Sequence, residues 1–264
     1  MINEFKNAML DAGIEPPLMI VSDGVLHRFK INGKESGWYV LHGGSYYAGA
    51  FGDWRLDLKV KWRQSESPKL TRADKAEMEK RRLELIAIEN EKHKKAAEKS
   101  LITIGIARKA DQKHPYLVRK KITYAIAVQV FDRLVLPIVN FDFEIVGAQY
   151  IFPDGKKLFE TGQQKKGCFI YIDGGDQIII CEGWATGVTL NHHYGATVLV
   201  ALDCGNLKNV AIGSKKHFKN RDIIIAADND ESGIGERKAI EAAMAISCDY
   251  IIPPVIGDFN DYLV

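Results

Sequence analysis

The 264-residue sequence lacks long apolar runs, is poor in cysteine and has almost no excess of charge. No apolar run approaches the ~20 residues that a membrane-spanning helix requires. The N-terminal MINEFKNAML lacks the apolar core of a signal peptide. The few cysteines form no C-x-x-C pair, which argues against a zinc ribbon and favours buried, reduced thiols at Cys168, Cys181, Cys204 and Cys248. These features predict a cytoplasmic protein.

The charge balance also bounds the function. Lys and Arg number 36 against 34 Asp and Glu, so the formal net charge is only +2. A polyanionic partner would gain little general attraction, and any nucleic-acid binding must depend on local basic patches. A hydrophobic content of 46% supports one large domain or two modest ones with real cores.

The texture of the chain predicts four segments. Residues 1–64 begin with an amphipathic helix near Ile2–Ala12, which Gly13 ends, and continue as β-rich runs separated by glycine-containing turns. This pattern predicts a small α+β module with an antiparallel sheet. Its aromatic residues are interpreted as the core of that sheet in preference to a binding surface: Phe29, Trp38, Tyr39, Phe51 and Trp54.

Residues 65–100 open with the linker-like SESP and continue without Gly or Pro from Thr71, a candidate N-cap, to Lys99. Charges of both signs alternate along this stretch. A solvated connecting helix is favoured over a helix that contacts nucleic acid, because acidic side chains lie among the basic ones.

Residues 101–176 form a β-rich segment with the antiparallel runs KITYAIAVQVF, RLVLPIVNF and IVGAQYIFP. In residues 177–264, apolar runs alternate with helical stretches: DQIIICE, ATVLVALD, DIIIAAD and CDYIIP are each predicted strands. This alternation predicts an α/β fold, with a parallel sheet that helices cover on both faces.

Acidic side chains follow several of these strands. In a parallel sheet the carboxyl ends of the strands meet at one edge, where ligands bind. Hard oxygen ligands without a nearby His or Cys favour Mg²⁺ or Mn²⁺ over zinc. A lone acid after a strand is often just a helix cap, but glutamate is a poor cap. The acids at issue are Glu182, Asp203, Asp228, Asp230, Asp258 and Asp261.

The combination of Glu182-Gly183 with Asp228-Asn229-Asp230 on successive strand–helix units resembles the Toprim domain. That domain occurs in topoisomerases, bacterial-type primases and some nucleases. The resemblance implies a Toprim-type parallel sheet over residues 177–264. It also implies a general acid or base at Glu182 and a Mg²⁺-binding pair at Asp228 and Asp230.

A narrower resemblance covers nearly the whole chain. The runs LHRF, GWYVLH, AGAFGDWR, HPYLVRKKI, LVLPIVNFD, ICEGWATG, ALDCGNL, IIIAADND and DFND are similar to the ordered motifs of phage and conjugative-plasmid (TraC-like) primases. Such primases often carry a helicase domain, but no P-loop occurs here, so we expect any helicase to be a separate partner. Thr186 stands where cellular-type primases commonly have a further acid, which leaves the number of metal ions open.

The resemblance implies a DNA primase that joins nucleoside triphosphates on a single-stranded DNA template with Mg²⁺ or Mn²⁺ and without zinc. Asp258 would complete the metal set of Glu182, Asp228 and Asp230. The expected phosphate- or nucleotide-binding residues are Gly183, Gly205 and Asn206. For both glycines, ordinary turn geometry is an equally acceptable interpretation.

Template binding requires cations and stacking faces. The best local patch is predicted at Arg108, Lys109, Lys113, Tyr116, Arg119, Lys120 and Lys121. A second basic patch combines Lys156-Lys157 with Lys165-Lys166 and is as readily a solvated surface. Two alternative functions remain: a Toprim-type nuclease that uses the same acids for hydrolysis, and a non-catalytic single-stranded-DNA-binding replication accessory protein.

Overall fold

The computed structural model describes residues 1–66 and 70–264. The chain forms two compact units, Met1–Glu89 and Asn90–Val264. The linker predicted at SESP includes Ser67 and Pro68, which lie outside the described residues. The finer division into four segments remains a prediction. Within the described part of the chain, no helix is both long and apolar enough to cross a bilayer.

The first unit packs a helix on an antiparallel sheet, as predicted. Helix α1 spans Ile2–Asp11, and Gly13 follows with a φ of +76°, which glycine adopts without strain. The strands pair in the order β1-β2-β3-β4. Phe5 and Met9 of the helix are fully buried against one face of the sheet. The strands are β1 His27–Ile31, β2 Lys34–His42, β3 Ala48–Asp53 and β4 Leu58–Arg63.

The aromatic side chains of this sheet divide between its two faces. Phe29, Tyr39 and Phe51 pack with the helix in the predicted core. Trp38 is 8% exposed but belongs to the opposite face, where its ring stacks on that of Trp54 at 5.9 Å. Trp54 is 44% exposed, so the prediction that it belongs to the core is wrong.

Helix α2 spans Arg72–Gly105 and contributes residues to both units. Thr71 is its N-cap, as predicted: the Asp74 amide donates to Thr71 Oγ1 at 3.1 Å, and the Thr71 amide donates to Asp74 Oδ2 at 2.9 Å. Only Ala96 and Ser100 of the helix are buried. The helix is therefore solvated over most of its length, which agrees with the sequence prediction.

The second unit contains an antiparallel sheet of five strands in the order β5-β6-β7-β8-β9. The stretch KITYAIAVQVF is a strand only at its end, so that prediction is wrong over Lys121–Ala127. Helix α3 spans Pro115–Lys120, and Lys121 ends it with a φ of +50°. The strands are β5 Arg108–Lys109, β6 Val128–Val130, β7 Arg133–Val139, β8 Ile145–Ile151 and β9 Lys157–Phe159.

The predicted parallel sheet follows, with five strands in the order β10-β12-β11-β13-β14. The four strands from β11 onward pair in parallel, whereas β10 is an antiparallel edge strand. Continuous apolar runs fit this position, because a sheet covered on both faces buries every side chain of its central strands. The strands are β10 Ile170–Ile172, β11 Gly175–Cys181, β12 Ala196–Val200, β13 Ile223–Ala226 and β14 Asp249–Ile251.

Helices cover both faces of this sheet. Ile179 and Cys181 of β11 point into a core that includes α4 and the antiparallel sheet, while Ile178 and Ile180 point into a core with α5 and α6. Burial of each isoleucine side chain stabilises the folded state by about 1.5–3 kcal/mol relative to exposure to water. Helix α6 begins at Ile234, after Gly233 as its N-cap. The helices are α4 Trp184–Tyr194, α5 Leu207–His217, α6 Ile234–Ile246 and α7 Phe259–Leu263.

Candidate active site

The carboxyl edge of the parallel sheet brings three of the predicted acids into one cavity. Cys181 of β11 pairs with Ala226 of β13, so the residues after both strands leave the sheet at the same level. Glu182 and Asp228 occupy these exits, and Asp258 begins helix α7 beside them. All three acids line a cavity of about 220 Å³. The convergence expected from the sequence is therefore present for these three side chains.

Burial makes this group of carboxylates costly to ionise. Desolvation, reinforced by the charge of Asp228, raises the pKa of Glu182 to about 7. Desolvation and the charge of Asp258 raise the pKa of Asp228 to about 6. Asp228 Oδ1 is buried and has no hydrogen-bond partner in the described residues. A bound cation would give this buried, orphaned carboxylate oxygen a partner.

Lysine side chains partly balance these acids. Lys157 of β9 lines the cavity, with its Nζ 6.0 Å from the centre of the Tyr116 ring. Although part of this side chain is exposed, its surroundings desolvate the ammonium and lower its pKa, which the charge of Asp258 opposes. Lys120 also lines the cavity and lies 2.9 Å from Asp261 Oδ1 and 3.7 Å from Asp258 Oδ2. Lys120 therefore neutralises the α7 end of the site.

Asp230 and Asp258 both have structural partners of their own. Asp230 accepts hydrogen bonds from the amides of Ser232 at 2.8 Å and Gly235 at 2.9 Å, and its Ser232 bonds lower its pKa. Asp258 caps helix α7 by accepting from the Asp261 amide at 2.9 Å. Capping and metal binding are compatible, because a carboxylate has about four acceptor positions. Asp228, Asp230 and Asp258 line a common open depression.

Asp203 and Asn206 have structural roles in place of the ligand-binding roles expected from the sequence. Asp203 accepts from the Asn206 amide and pairs with Lys165 at 2.6 Å. The Asn206 side chain is buried, and its amide group bonds Gly167, Lys165, Cys168 and Ala201. The prediction that Asn206 contacts a nucleotide is therefore wrong, because its hydrogen-bonding capacity is used in holding the loop before β10.

The predicted glycines differ in their position. Gly183 lines the cavity and is the N-cap of α4, with ordinary extended backbone. A Cβ atom there would lie 3.5 Å from Thr186 Oγ1, an ordinary contact, so packing does not require glycine. Gly205 is exposed and is absent from the residues that line the cavity. Thr186 is 1% exposed and lines the cavity as a neutral side chain.

The predicted basic patch is split by the fold. Tyr116 is only 3% exposed and stacks on Trp184 at 6.2 Å, and burial raises its pKa to about 12. It is therefore no exposed stacking face, and that expectation is wrong. Arg119 donates to the Pro153 carbonyl at 3.1 Å, and Lys121 donates to the Val264 carbonyl at 3.1 Å. The patch members that are exposed to solvent on the surface before α3 are Arg108, Lys109 and Lys113.

Sequence reasoning gave too little weight to Lys157 and did not name Gln149. Both line the cavity from the antiparallel sheet, where Gln149 pairs with Phe159 across β8 and β9. The signal available for Lys157 was its place just after the DGK turn, at the start of a strand. Its convergence with Glu182 depends on packing between the two sheets, which no local pattern encodes.

The donor set fits a divalent cation that needs few protein ligands. Among the described residues, no three Asp, Glu, His or Cys side chains form a ready-made metal cluster. Mg²⁺ is commonly held by one or two carboxylates, with water and substrate phosphates completing its octahedron. A bound cation would give the orphaned oxygen of Asp228 a partner and would favour the charged form of Glu182.

Comparison with known proteins shows which domain the parallel-sheet region resembles. Residues 177–264 match the family model described as a Toprim domain. Two curated Escherichia coli proteins named DNA primase TraC are 29% and 28% identical to this chain over 98% of its length. The chain spans only 27% and 20% of the length of these relatives.

Solved primase structures give weaker matches. The primase fragment of the bacteriophage T7 primase-helicase matches with a TM-score of 0.43 and 18% identity, covering 55% of this chain and 67% of that chain. The Aquifex aeolicus primase, with its zinc-binding and RNA polymerase domains, matches with a TM-score of 0.43 and 13% identity, covering 99% of this chain and 81% of that chain. The sequence matches confirm the resemblance to TraC-like Toprim primases: residues 177–264 are a Toprim domain, within a chain that is similar almost throughout to part of DNA primase TraC.

Proposed function

We propose that this chain is a DNA primase that synthesises short primers from nucleoside triphosphates on single-stranded DNA. The observation that carries the proposal is the acidic cavity of Glu182, Asp228 and Asp258 in a Toprim domain, with Lys157 at its wall. The relatives named DNA primase TraC support the same reaction.

The reaction needs metal ions, phosphate binding and proton transfer. Asp228 and Asp230 would hold Mg²⁺ or Mn²⁺, with Glu182 and Asp258 as further ligands. A bound ion would neutralise charge on the transferring phosphoryl group and on pyrophosphate. The oxygen-only donor set favours these ions over zinc.

The protein side chains supply the remaining chemistry. The 3′-hydroxyl oxygen of the growing primer attacks the α-phosphorus, and the bond to the β-phosphate oxygen breaks to release pyrophosphate. Glu182, with a pKa of about 7, is suited to accept the hydroxyl proton near neutral pH. Lys157 and Lys120 line the same cavity and would bind the triphosphate oxygens. Gly183 lines the same cavity at the start of α4.

The template and the biological setting complete the proposal. Arg108, Lys109 and Lys113 provide exposed cations for the template strand. The cysteines of the described residues are free thiols, which fits the cytoplasm as the proposed location. A separate replicative helicase is a proposed partner in phage or plasmid replication.

One experiment separates this function from the alternatives. Purified protein is incubated with circular single-stranded DNA, labelled nucleoside triphosphates and Mg²⁺ or Mn²⁺, and the products are resolved on a gel. Short labelled oligomers that disappear with EDTA are expected. Nicked or shortened DNA would instead identify a nuclease. A mobility shift without either product would identify a non-catalytic DNA-binding protein.

A further inference from the structure

The sheet of the first unit has one apolar face and one basic face. Along both edge strands, apolar residues that contact α1 alternate with exposed cations. Since side chains alternate across a strand, these cations project from the face opposite the helix. We call this surface the basic face, and its cations are Arg28, Lys30, Lys59, Lys61 and Arg63.

The residues that the strand register aligns between the two edge strands on the basic face are uncharged. The strand register places Trp38 beside Gly52 and Lys59, and Val40 beside Ala50 and Lys61. A Cβ atom at Gly52 would lie only 2.9 Å from Trp38 Nε1, so the indole lies across this glycine. Trp38, Val40, Ala50 and Gly52 thus form a floor between two rows of cations. The rows are about 14 Å apart, from three strand spacings of about 4.8 Å.

The cations on this face have no acidic partners in the described part of the chain. Within residues 1–66 and 70–264, none of the five cations forms an ion pair. The acids of the central strands lie off the face: Asp53 pairs in register with Gly37 and Leu58 and is 3% exposed. A row of cations without counter-charges attracts anionic ligands.

Aromatic surface adjoins the cations. The guanidinium of Arg28 lies 4.8 Å from the centre of the Trp54 ring, and Trp54 stacks on Trp38. Trp54 keeps 44% of its surface exposed, a large fraction for tryptophan. Cations beside an accessible indole match the requirements of single-stranded nucleic acid, which offers phosphates and bases together. A duplex groove needs an inserted helix or two-stranded ribbon, whereas this face is one side of a four-stranded sheet.

We propose that the basic face is a binding surface for single-stranded DNA, separate from the catalytic cavity. Phosphates would contact the cations of an edge strand, and unstacked bases would lie over the floor beside Trp54. That the bound strand is the primer template rests on the proposed function. The binding itself does not depend on catalysis, because it requires neither nucleotides nor Glu182.

The test measures affinity for a fluorescently labelled oligothymidylate by anisotropy, with the full chain and without nucleotides or metal. The variant Lys59→Gln/Lys61→Gln/Arg63→Gln is compared with Lys75→Gln/Lys80→Gln/Lys94→Gln, which removes the same charge from exposed positions of α2. We expect at least a tenfold loss of affinity for the first variant and less than a twofold loss for the second. The slope of log K against log salt should become shallower by about 2 for three lost phosphate contacts.

Further variants and competitors probe the mode of binding. Trp54→Ala should weaken binding without changing the salt slope, whereas Lys30→Gln should reduce that slope. Equal losses in the basic-face and α2 variants, or wild-type affinity in the basic-face variant, would overturn the proposal. Equal competition by a duplex of the same length or by polyglutamate would also overturn it. Because binding is measured without turnover, failure to make primers would leave this result standing.

Discussion

Asp228 shows at the scale of a single residue how a functional site opposes stability. Its side chain is largely withdrawn from water, one oxygen has no hydrogen-bond partner among residues 1–66 and 70–264, and its pKa is raised to about 6. The charged form is therefore less stable in the folded protein than in the unfolded chain. Glu182, with a pKa of about 7, has the same property. Both carboxylates favour unfolding at alkaline pH unless a cation compensates them.

Replacement of Asp228 by Asn should stabilise the protein at pH 8. The raised folded-state pKa means that the native state binds the proton more tightly. Ionisation of Asp228 therefore costs no stability below the pKa of the unfolded chain, near 4. Stability falls as the pH rises from there through the folded-state pKa of about 6. We expect a gain of about 1–3 kcal/mol for Asp228→Asn at pH 8 and little at pH 4. Urea unfolding at both pH values checks this.

Asp222→Asn is the matched control, because Asp222 is exposed just before the same strand. It should leave stability unchanged at both pH values. Addition of Mg²⁺ should reduce the difference in free energy of unfolding between Asp228→Asn and the unmodified chain, because only the unmodified chain keeps the carboxylate that would bind the ion. A destabilised Asp228→Asn protein at pH 8 would show that the carboxylate has a structural partner after all.

Lys157 should affect nucleotide binding more than folding. Its side chain lines the acidic cavity, whereas its neighbour Lys156 is not among the residues that line it. Lys157→Gln should raise KM for nucleoside triphosphates by about tenfold, which corresponds to the ~1.4 kcal/mol of one charge-assisted contact. Lys156→Gln should change KM less than twofold. Steady-state primer synthesis measures both, and equal values for the two variants would remove Lys157 from the site.

At the scale of elements, Glu160 joins the C-terminal part of α2 to the antiparallel sheet of the second unit. Its carboxylate is 5% exposed, accepts from Lys99 Nζ at 2.8 Å and accepts from the Tyr150 hydroxyl at 2.7 Å. These bonds outweigh burial and lower the pKa of Glu160. Tyr150 in turn has its pKa raised to about 12, by burial first and then by Glu160. One carboxylate thus connects a helix, a strand and the end of β9.

Glu160→Gln should destabilise the protein by about 1–3 kcal/mol at pH 7, because it leaves partners of a buried acceptor less well satisfied. A lowered pKa means that this stabilisation is present above the unfolded value near 4.5 and is lost as pH falls through the folded value. Unfolding curves of Glu160→Gln and the unmodified protein should therefore converge as the pH falls below 4.5. Glu98→Gln, an exposed change on α2, should match the unmodified protein at pH 7. A gap that persists at acid pH would contradict this account.

At the scale of the whole molecule, the sequence predicts most of the architecture but only part of the site. Apolar runs alternating with helical stretches identify the parallel sheet, because a strand covered on both faces must be apolar throughout. The strand-end acids follow from that topology. Burial of Tyr116 and the hydrogen bonds of Asn206 could not be predicted, because both depend on packing between segments far apart in the chain. The position of Lys157 in the cavity could not be predicted for the same reason.

The central claim is that the carboxylates of the Toprim domain catalyse formation of the phosphodiester bonds of a primer. The most direct measurement is the rate of labelled nucleotide incorporation on circular single-stranded DNA by Glu182→Gln, compared with Asp222→Asn and the unmodified protein, with circular dichroism to show that all three are folded. Glu182→Gln should lose at least a hundredfold in rate, as removal of a general base does, while Asp222→Asn should keep full activity. Incorporation by folded Glu182→Gln at the rate of the unmodified protein would contradict the account.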